Sequence, residues 1–363
     1  MKRIIVSVTN DLTTDQRVHK VCTTLTEMGF NVLLVGRHLP DSRPIRRNYQ
    51  TKRMRLLFRK KAFFYAEYNL RLWLFLLFHR ADVLVANDLD TLAANFLVSR
   101  LKRIPLVYDA HEYFLGVPEL VGRKRVQAVW RWIERKCFPK LKQVITVSPS
   151  IARLYQQEYG VEVQVVRNVP YCYAPAATPS PRPYPYILYQ GAINIERGVE
   201  EAMAAMQHVP DCHLLIAGTG DIFPNLQALH ATLPWKERIE FLGALPPEQL
   251  RPYTQHALLG LSLEKATCIN YQYCLPNKLF DYIQAHIPVL VSNLPEMQQI
   301  VNTYKVGEVL QNHTVQDIAA SISRMLRNTE QWELYKANTF KASEDLCWEK
   351  ESQVLKNTYS RYL

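Results

Sequence analysis

The sequence predicts two doubly wound α/β units in series, each a parallel sheet flanked by crossover helices. Three observations carry the prediction. The 363 residues exceed the length at which one hydrophobic core usually stops growing. Short β-branched runs alternate with amphipathic stretches from the start, the mark of parallel strands joined by helices. Near the middle a proline-rich run interrupts the alternation, which then resumes.

In the first half the strand-like runs are "RIIVSV", "NVLLVG", "VLVA", "PLVYD", "QVITVS" and "VEVQVV", separated by stretches such as "QRVHKVCTTLTEMG" with apolar residues at helical spacing. Residues 1–170 are therefore expected to form one unit. Residues 171–186, within "PYCYAPAATPSPRPYPY", hold too many prolines for a helix or a sheet ladder and are expected to be a linker. The pattern restarts with "YILYQGA", "HLLIAGTGD", "RIEFLGAL", "ALLGLSL", "IPVLVSN" and "VGEVL", giving a second unit over 187–345. No strand follows "WEKESQVLKNTYSRYL", so residues 346–363 are expected to cross back to the first unit. Ligands of such sheets bind outside the carboxyl ends of the strands, and the two units are expected to face a central cleft.

Composition narrows the function classes. The seven cysteines, at 22, 137, 172, 212, 268, 274 and 347, form no CxxC pair and leave an odd count. Neither a disulfide framework nor a zinc site is indicated, and a reducing, cytoplasmic compartment fits best. The opening "MKRIIVSVTND" is too short in apolar residues for a signal sequence. The best candidate span, "AFFYAEYNLRLWLFLLF", is broken by Glu67 and Arg71, so no membrane crossing is expected. Charge is divided by position: residues 1–170 hold 29 Lys and Arg against 14 Asp and Glu, and the remainder 15 against 19. The two halves are expected to meet different partners.

The stretch "YCLPNKLFDYIQAHIPVLVS", residues 273 to 292, concentrates the chemistry. Pro276 suits the start of a helix, where a missing amide hydrogen costs nothing, and the free amides of a first turn form an anion site backed by the helix dipole. Lys278 and Asp281 are three apart and share a face, while Leu279, Phe280 and Ile283 turn toward the sheet. A cation beside phosphate-binding amides, with a carboxylate one turn deeper, matches a nucleotide diphosphate and its ribose hydroxyls. By spacing alone, an ordinary capped helix with a surface Lys–Asp pair is the alternative.

The same stretch resembles the donor-binding motif of family 4 glycosyltransferases, the retaining GT-B enzymes also written glycosyl transferases group 1. Other parts of the pattern follow in order: "VTNDLTTDQRVHK" after the first strand-like run, "YDAHEYF" after the fourth, then "VSPSIARLY", "VVRNVP", "YQGAINIERGVE", "IAGTGD" and "FLGALPPEQL". The resemblance implies a GT-B fold, two Rossmann-like domains about a cleft, with a nucleotide-diphosphate sugar as donor substrate and no cofactor. It places Arg197 and Lys278 on the donor diphosphate, where their charge offsets that of the leaving nucleotide without a metal ion. Asp281 stands where the family has its ribose-binding Glu. Leu242 and Gly243 are expected along the base, Gly191 among the donor-binding residues, Gly218 and Gly220 where the next loop approaches closely, and Cys274 and Leu275 with amides toward the sugar; Pro276 and Asn277 open the donor helix. His111 of "YDAHEYF" matches the histidine that contacts the sugar. Asp15, Arg17, Asp88 and Glu112 are expected on the acceptor side.

Two positions depart from the pattern. Tyr273 replaces the usual second Glu, eight residues before the ribose acid, and His286 replaces the glycine that closes the motif helix, where a left-handed turn is expected. Other signals are weaker. "IAGTGD" lacks the third glycine of a dinucleotide fingerprint, and "HEYFLGV" has no second His four residues on. "NDLD" spells a metal-binding DxD, but Asp88 and Asp90 read better as strand-end and helix-cap residues.

Between Arg37 and Arg80 lie twelve Lys or Arg and two acids, with Phe58, Phe63, Phe64, Tyr65, Tyr68, Trp73 and Phe75 interleaved. An anionic membrane surface is the expected partner of this segment rather than nucleic acid; the alternative is a core helix with a solvated basic face. The sequence therefore points to transfer of a sugar to a glycan or lipid-linked saccharide acceptor at the cytoplasmic membrane face. A nucleotide-sugar epimerase of the same architecture, or a non-catalytic partner subunit, stays open at this point.

Overall fold

The computed structural model describes every residue except Thr14, Asp41 and residues 175–177, the last three lying within the stretch expected as a linker. The chain divides into two compact units, Met1–Asn168 with Glu351–Leu363, and Val169–Lys350.

The first unit holds strands β1 (Arg3–Ser7), β2 (Asn31–Arg37), β3 (Gln50–Met54), β4 (Val83–Asn87), β5 (Leu106–Ala110), β6 (Gln143–Thr146) and β7 (Val163–Val165). They pair in parallel in the order β3-β2-β1-β4-β5-β6-β7. Strands such as β4 and β5 are buried at every residue, which is why they read as unbroken apolar runs rather than alternating ones. The sequence pattern missed β3. Its "QTKRM" is polar and alternates between exposed and half-buried positions at the sheet edge, where charged residues discourage further pairing.

The closing helix Trp348–Ser360 begins beside the second unit's first residues, the Trp348 amide donating to the Pro170 carbonyl. From Glu351 onward its residues belong to the first unit. Glu351 receives the Arg167 amide at 2.6 Å and its guanidinium at 2.8 and 3.0 Å, and Leu355 and Tyr359 are fully buried.

The second unit holds β8 (Tyr186–Gln190), β9 (His213–Ala217), β10 (Ile239–Gly243), β11 (Gly260–Ser262), β12 (Val289–Ser292) and β13 (Gly307–Leu310), all parallel, in the order β10-β9-β8-β11-β12-β13. In each sheet the winding direction reverses once, between β1 and β4 and between β8 and β11. Loops diverge beyond the strand ends at such a reversal and leave a crevice for a ligand.

The motif helix Asn277–Gln284 is seated at that reversal in the second unit by Tyr282. The phenol hydroxyl accepts the Gln190 amide at 3.0 Å and lies 3.2 and 3.1 Å from the Leu188 and Leu261 carbonyls. A side chain at Gly260 would strike the Tyr282 ring at 2.3 Å, so the glycine in β11 lets the ring lie flat on the strand. Leu279, Phe280 and Ile283 are fully buried. Beyond the helix, His286 adopts φ 59°, with its ring against Phe340 and Nε2 at 3.2 Å from Ser343 Oγ.

Candidate active site

Arg197 and Lys278 reach the same oxygen. Lys278 Nζ donates to Glu264 Oε1 at 2.7 Å, and Arg197 Nη1 donates to it at 3.4 Å. The other oxygen, Oε2, accepts from Ser262 Oγ at 2.8 Å. Glu264 follows β11, Arg197 lies in the loop after β8, and Lys278 is in the first turn of the motif helix, so three segments converge at the reversal of the sheet. Each cation also covers a tyrosine face: Lys278 Nζ is 4.1 Å from the Tyr189 ring centre and Arg197 Cζ 4.6 Å from that of Tyr271.

Burial fixes the charges. Enclosure alone would raise the Glu264 carboxyl, but Lys278 and Arg197 hold it below the usual carboxylate range. Burial works against a charged Lys278 as well, and Glu264 more than offsets it, leaving the ammonium above its ordinary value.

The adjoining loops approach closely. Gly191, at φ 128°, packs on the Lys278 stem, and a Cβ there would lie 3.2 Å from Cε. Gly218, at φ 143°, leaves no room for a side chain: its Cβ would fall 1.8 Å from the Gly191 carbonyl oxygen. Gly220 follows in the same loop. At the end of β10 the register slips between Phe241 and Gly243, so Leu242 is bulged, while the Gly243 carbonyl accepts the Gly218 amide at 2.8 Å. Asp281 accepts from Gln190 Nε2 at 3.1 Å.

In the first unit a second cluster gathers beyond β4 and β5. The His111 ring has Nε2 at 3.1 Å from Asn87 Oδ1 and 3.8 Å from Asp109 Oδ2, and Nδ1 at 3.5 Å from Asp88 Oδ2. Burial would lower its pKa, but the carboxylates of Asp88 and Asp109 raise it to about 9. Asp109 would be raised by burial and is instead brought down to about 2, chiefly by Arg17, whose Nη2 lies 2.6 Å away. Burial pushes Asp88 up, though a fifth of its side chain meets solvent, and water screens that part of the effect.

Two family models match the chain, Glycosyltransferase Family 4 over residues 15–170 and Glycosyl transferases group 1 over residues 174–342. The chain belongs to glycosyltransferase family 4. Among curated proteins it is similar to the alpha-D-kanosaminyltransferase of Streptomyces kanamyceticus, 20% identical over 256 residues that cover 65% of this chain and 64% of that protein. Among solved structures it is similar to a sucrose-phosphate synthase from Thermosynechococcus elongatus, with TM-score 0.81, 17% identity and 99% of each chain covered. It is also similar to Anabaena HepE in complex with UDP-glucose, with TM-score 0.77, 14% identity and coverage of 99% and 100%. At these identities the structural likeness bears on the fold, which is GT-B-like in this family 4 chain as well.

The residues singled out in the sequence each take a definite place in the structure. Lys278 is buried and pairs with Glu264, not with Asp281 across a surface helix. Pro276 occupies the position before the helix rather than its first turn. The Cys274 amide is turned to the Tyr271 carbonyl at 3.3 Å, which leaves the Leu275 amide of the expected pair. Arg17 is buried, its guanidinium taken by Asp109 and, at 2.6 Å, by the Val166 carbonyl, so it reaches the site only through Asp109. Asp88 stands at the start of the helix Leu89–Lys102 without capping it; its carboxylate accepts the His111 amide instead. Asp90 accepts from Thr9 Oγ1 at 2.5 Å. Asp15 caps the helix Gln16–Glu27 through the Val18 amide at 3.0 Å, and Glu112 follows His111 half-buried.

Sequence reasoning missed Glu264, Tyr282 and Asn87. Glu264 gave one signal, an acid at the end of an otherwise apolar strand run. It missed, too, that Cys172, Cys347 and Glu349 bring their ligand atoms within 4.8 Å of one another, a convergence across 175 residues that no local spacing announces.

Proposed function

We propose that the protein is a retaining glycosyltransferase that moves a sugar from a nucleotide-diphosphate donor to a hydroxyl of a glycan or lipid-linked saccharide, at the cytoplasmic face of an anionic membrane. The observation that carries the reading is the convergence of Arg197 and Lys278 on one carboxylate oxygen, beside glycine loops and a helix start at the sheet reversal. Two cations so placed suit a diphosphate and can offset the charge that develops on it as it leaves. Asp281 is one turn along the same helix, in reach of ribose hydroxyls, and the bulge at Leu242 frees backbone groups for a base.

In this reading the anomeric carbon loses its bond to the diphosphate oxygen and gains one to the acceptor oxygen on the same face, and the departing phosphate takes the acceptor's proton. His111 contacts the sugar. The bond to Asn87 and the flanking carboxylates orient the ring and keep it charged, which suits it to donating a hydrogen bond rather than to acting as a base.

Membrane association is supported by the helix Lys61–Phe78. Phe64, Tyr68, Leu72 and Leu76 are buried, whereas Phe63, Leu70, Leu74 and Phe78 are exposed along another face, preceded by exposed Leu57 and Phe58. Contiguous exposed apolar residues beside basic ones suit an interfacial helix. The Glu67 carboxylate is occupied by the Leu57 and Phe58 amides and by Arg71, which mutes the one acid in the helix. Among the described residues no helix is long and apolar enough to cross a membrane.

The test is incubation with UDP-, GDP- and dTDP-sugars and membrane lipid extract, scoring nucleotide release with and without acceptor. Acceptor-dependent release is expected; a sugar altered without any acceptor would favour an epimerase. Arg197→Ala or Lys278→Ala should each weaken donor binding by about tenfold or more, and unchanged binding in both would remove the diphosphate assignment.

A further inference from the structure

We propose that Glu264 is the positioning residue of the donor site: its carboxylate keeps Lys278 charged and holds it, with Arg197, at the separation a diphosphate requires. The inference rests on the reading of these two cations as the diphosphate contacts.

Burying these charges is costly. Glu264 is fully buried and Lys278 nearly so, with 7% of its side chain exposed. Enclosed charges are tolerated when paired and hydrogen-bonded, yet an apolar cluster of equal volume would stabilise the fold as well or better. The triad therefore has a use other than stability. Its geometry points to that use. Glu264 Oε1 is shared by both cations, Oε2 is fixed by Ser262, and the strand β11 behind it is fixed by its ladder with β8 and β12.

The carboxylate is thus a rigid anchor to which two side chains from different segments are tied, while the Lys278 stem is held between Gly191 and the Tyr189 ring. Side chains fixed in this way lose little freedom when a ligand arrives. Charge gives the second half of the role. Glu264 is the carboxylate that faces Lys278; the other titratable groups around the pair are Arg197, Tyr189, Tyr271, Cys274, Tyr282 and His313. Arg197 repels the ammonium and burial disfavours it. Without Glu264 the main opposing charge is gone and Tyr189 alone still favours the ammonium, so Lys278 releases its proton at a lower pH.

The experiment compares full-length wild type, Glu264→Gln and Lys278→Ala for binding of UDP, GDP and dTDP between about pH 7 and about pH 10, a window above the ordinary histidine range. Wild-type affinity should be nearly flat over most of it. Glu264→Gln should bind about tenfold or more weakly at the lower end, and its affinity should fall further as pH rises, a steepening that lost packing alone does not produce. Lys278→Ala should be weak and flat. Wild-type affinity and a flat profile in Glu264→Gln, with Lys278→Ala weakened, would overturn this inference and leave the donor reading intact. No binding by wild type would overturn both. Should Glu264→Gln not fold, the double variant Glu264→Gln/Lys278→Met removes the unpaired ammonium and should fold again without binding nucleotide; failure to fold would mean that Glu264 holds something other than these cations, and the inference falls.

Discussion

The Asp88 carboxylate accepts the His111 backbone amide at 2.8 Å while the Asp88 backbone itself stands at φ 56° and ψ 168°. That conformation is almost confined to glycine and costs about 1–3 kcal/mol. The side chain that would normally cap the following helix is turned to the next strand's loop instead, so local strain is exchanged for a fixed histidine. Asp88→Asn retains an acceptor for the amide and removes the charge. The His111 midpoint should then drop from about 9 toward the ordinary value of about 6.5, as read by NMR titration of the ring. A histidine raised in the folded state contributes stability that is complete below about pH 6.5 and is lost as pH rises through about 9. Asp88→Asn should flatten that alkaline loss, and an unchanged profile would show that the charge of Asp88 does not act on the ring.

Arg17 offers a test of stability without a change at the surface. Its ion pair with Asp109 has 3% and 1% of the side chains exposed. Arg17→Met leaves the Asp109 carboxylate enclosed without its cation, and removing one partner of such a pair costs about 3–5 kcal/mol. Chemical denaturation should show a loss of that order. In the variant Asp109 should also titrate above its present value of about 2. At present its stabilising contribution holds above about pH 3.8 and is lost as pH falls through about 2; the variant should lose it at higher pH.

The contrast between Arg17 and Lys278 shows what a sequence exposes and what it withholds. Strand runs such as "VLVA" and "PLVYD" were legible because strands buried on both faces must be continuously apolar. β3 was not, since an edge strand needs no such run. The motif helix was legible from its proline and its apolar spacing, and Lys278 within it. Its partner Glu264 was not, because fourteen residues and a short helix, Ile269–Gln272, separate them and only the folding of β11 beside β8 unites them. Arg17 was expected on the acceptor side from the resemblance of its loop, and nothing beside it in the sequence announces its burial. Its partner Asp109 is 92 residues away, beyond the reach of any local pattern.

Gly218 and Gly243 separate steric need from backbone freedom. Both have positive φ, 143° and 67°, so alanine is strained at either. At Gly243 nothing lies within 4 Å of the added carbon, whereas at Gly218 it would meet the Gly191 carbonyl at 1.8 Å, and backbone cannot rotate away. Gly243→Ala should therefore cost about 1 kcal/mol in thermal or chemical unfolding and weaken nucleotide binding less than Gly218→Ala does. Gly218→Ala should displace the Gly191 loop that packs on Lys278 and weaken nucleotide binding as well. Equal affinities in the two variants would detach this loop from the donor site.

The exposed side of the helix Lys61–Phe78 can be altered without touching the core. Phe63 and Phe78 are 69% and 78% exposed, so Phe63→Ser with Phe78→Ser should leave the unfolding midpoint unchanged. Burial of apolar side chains in the headgroup region and attraction of about 1 kcal/mol for each nearby Lys or Arg are the two forces expected to act there. Wild type should therefore sediment with vesicles containing anionic lipid, and added salt should weaken the association, since a higher ionic strength shortens the reach of surface charge. The double variant should sediment less at every salt concentration, because the apolar contribution is lost while the basic residues remain. Charge reversal at Lys60 and Lys61 should act in the opposite pattern, reducing association most at low salt. Equal sedimentation of wild type with neutral and anionic vesicles would count against a charge-guided surface. Unchanged sedimentation of the phenylalanine variant would move the contact away from this helix.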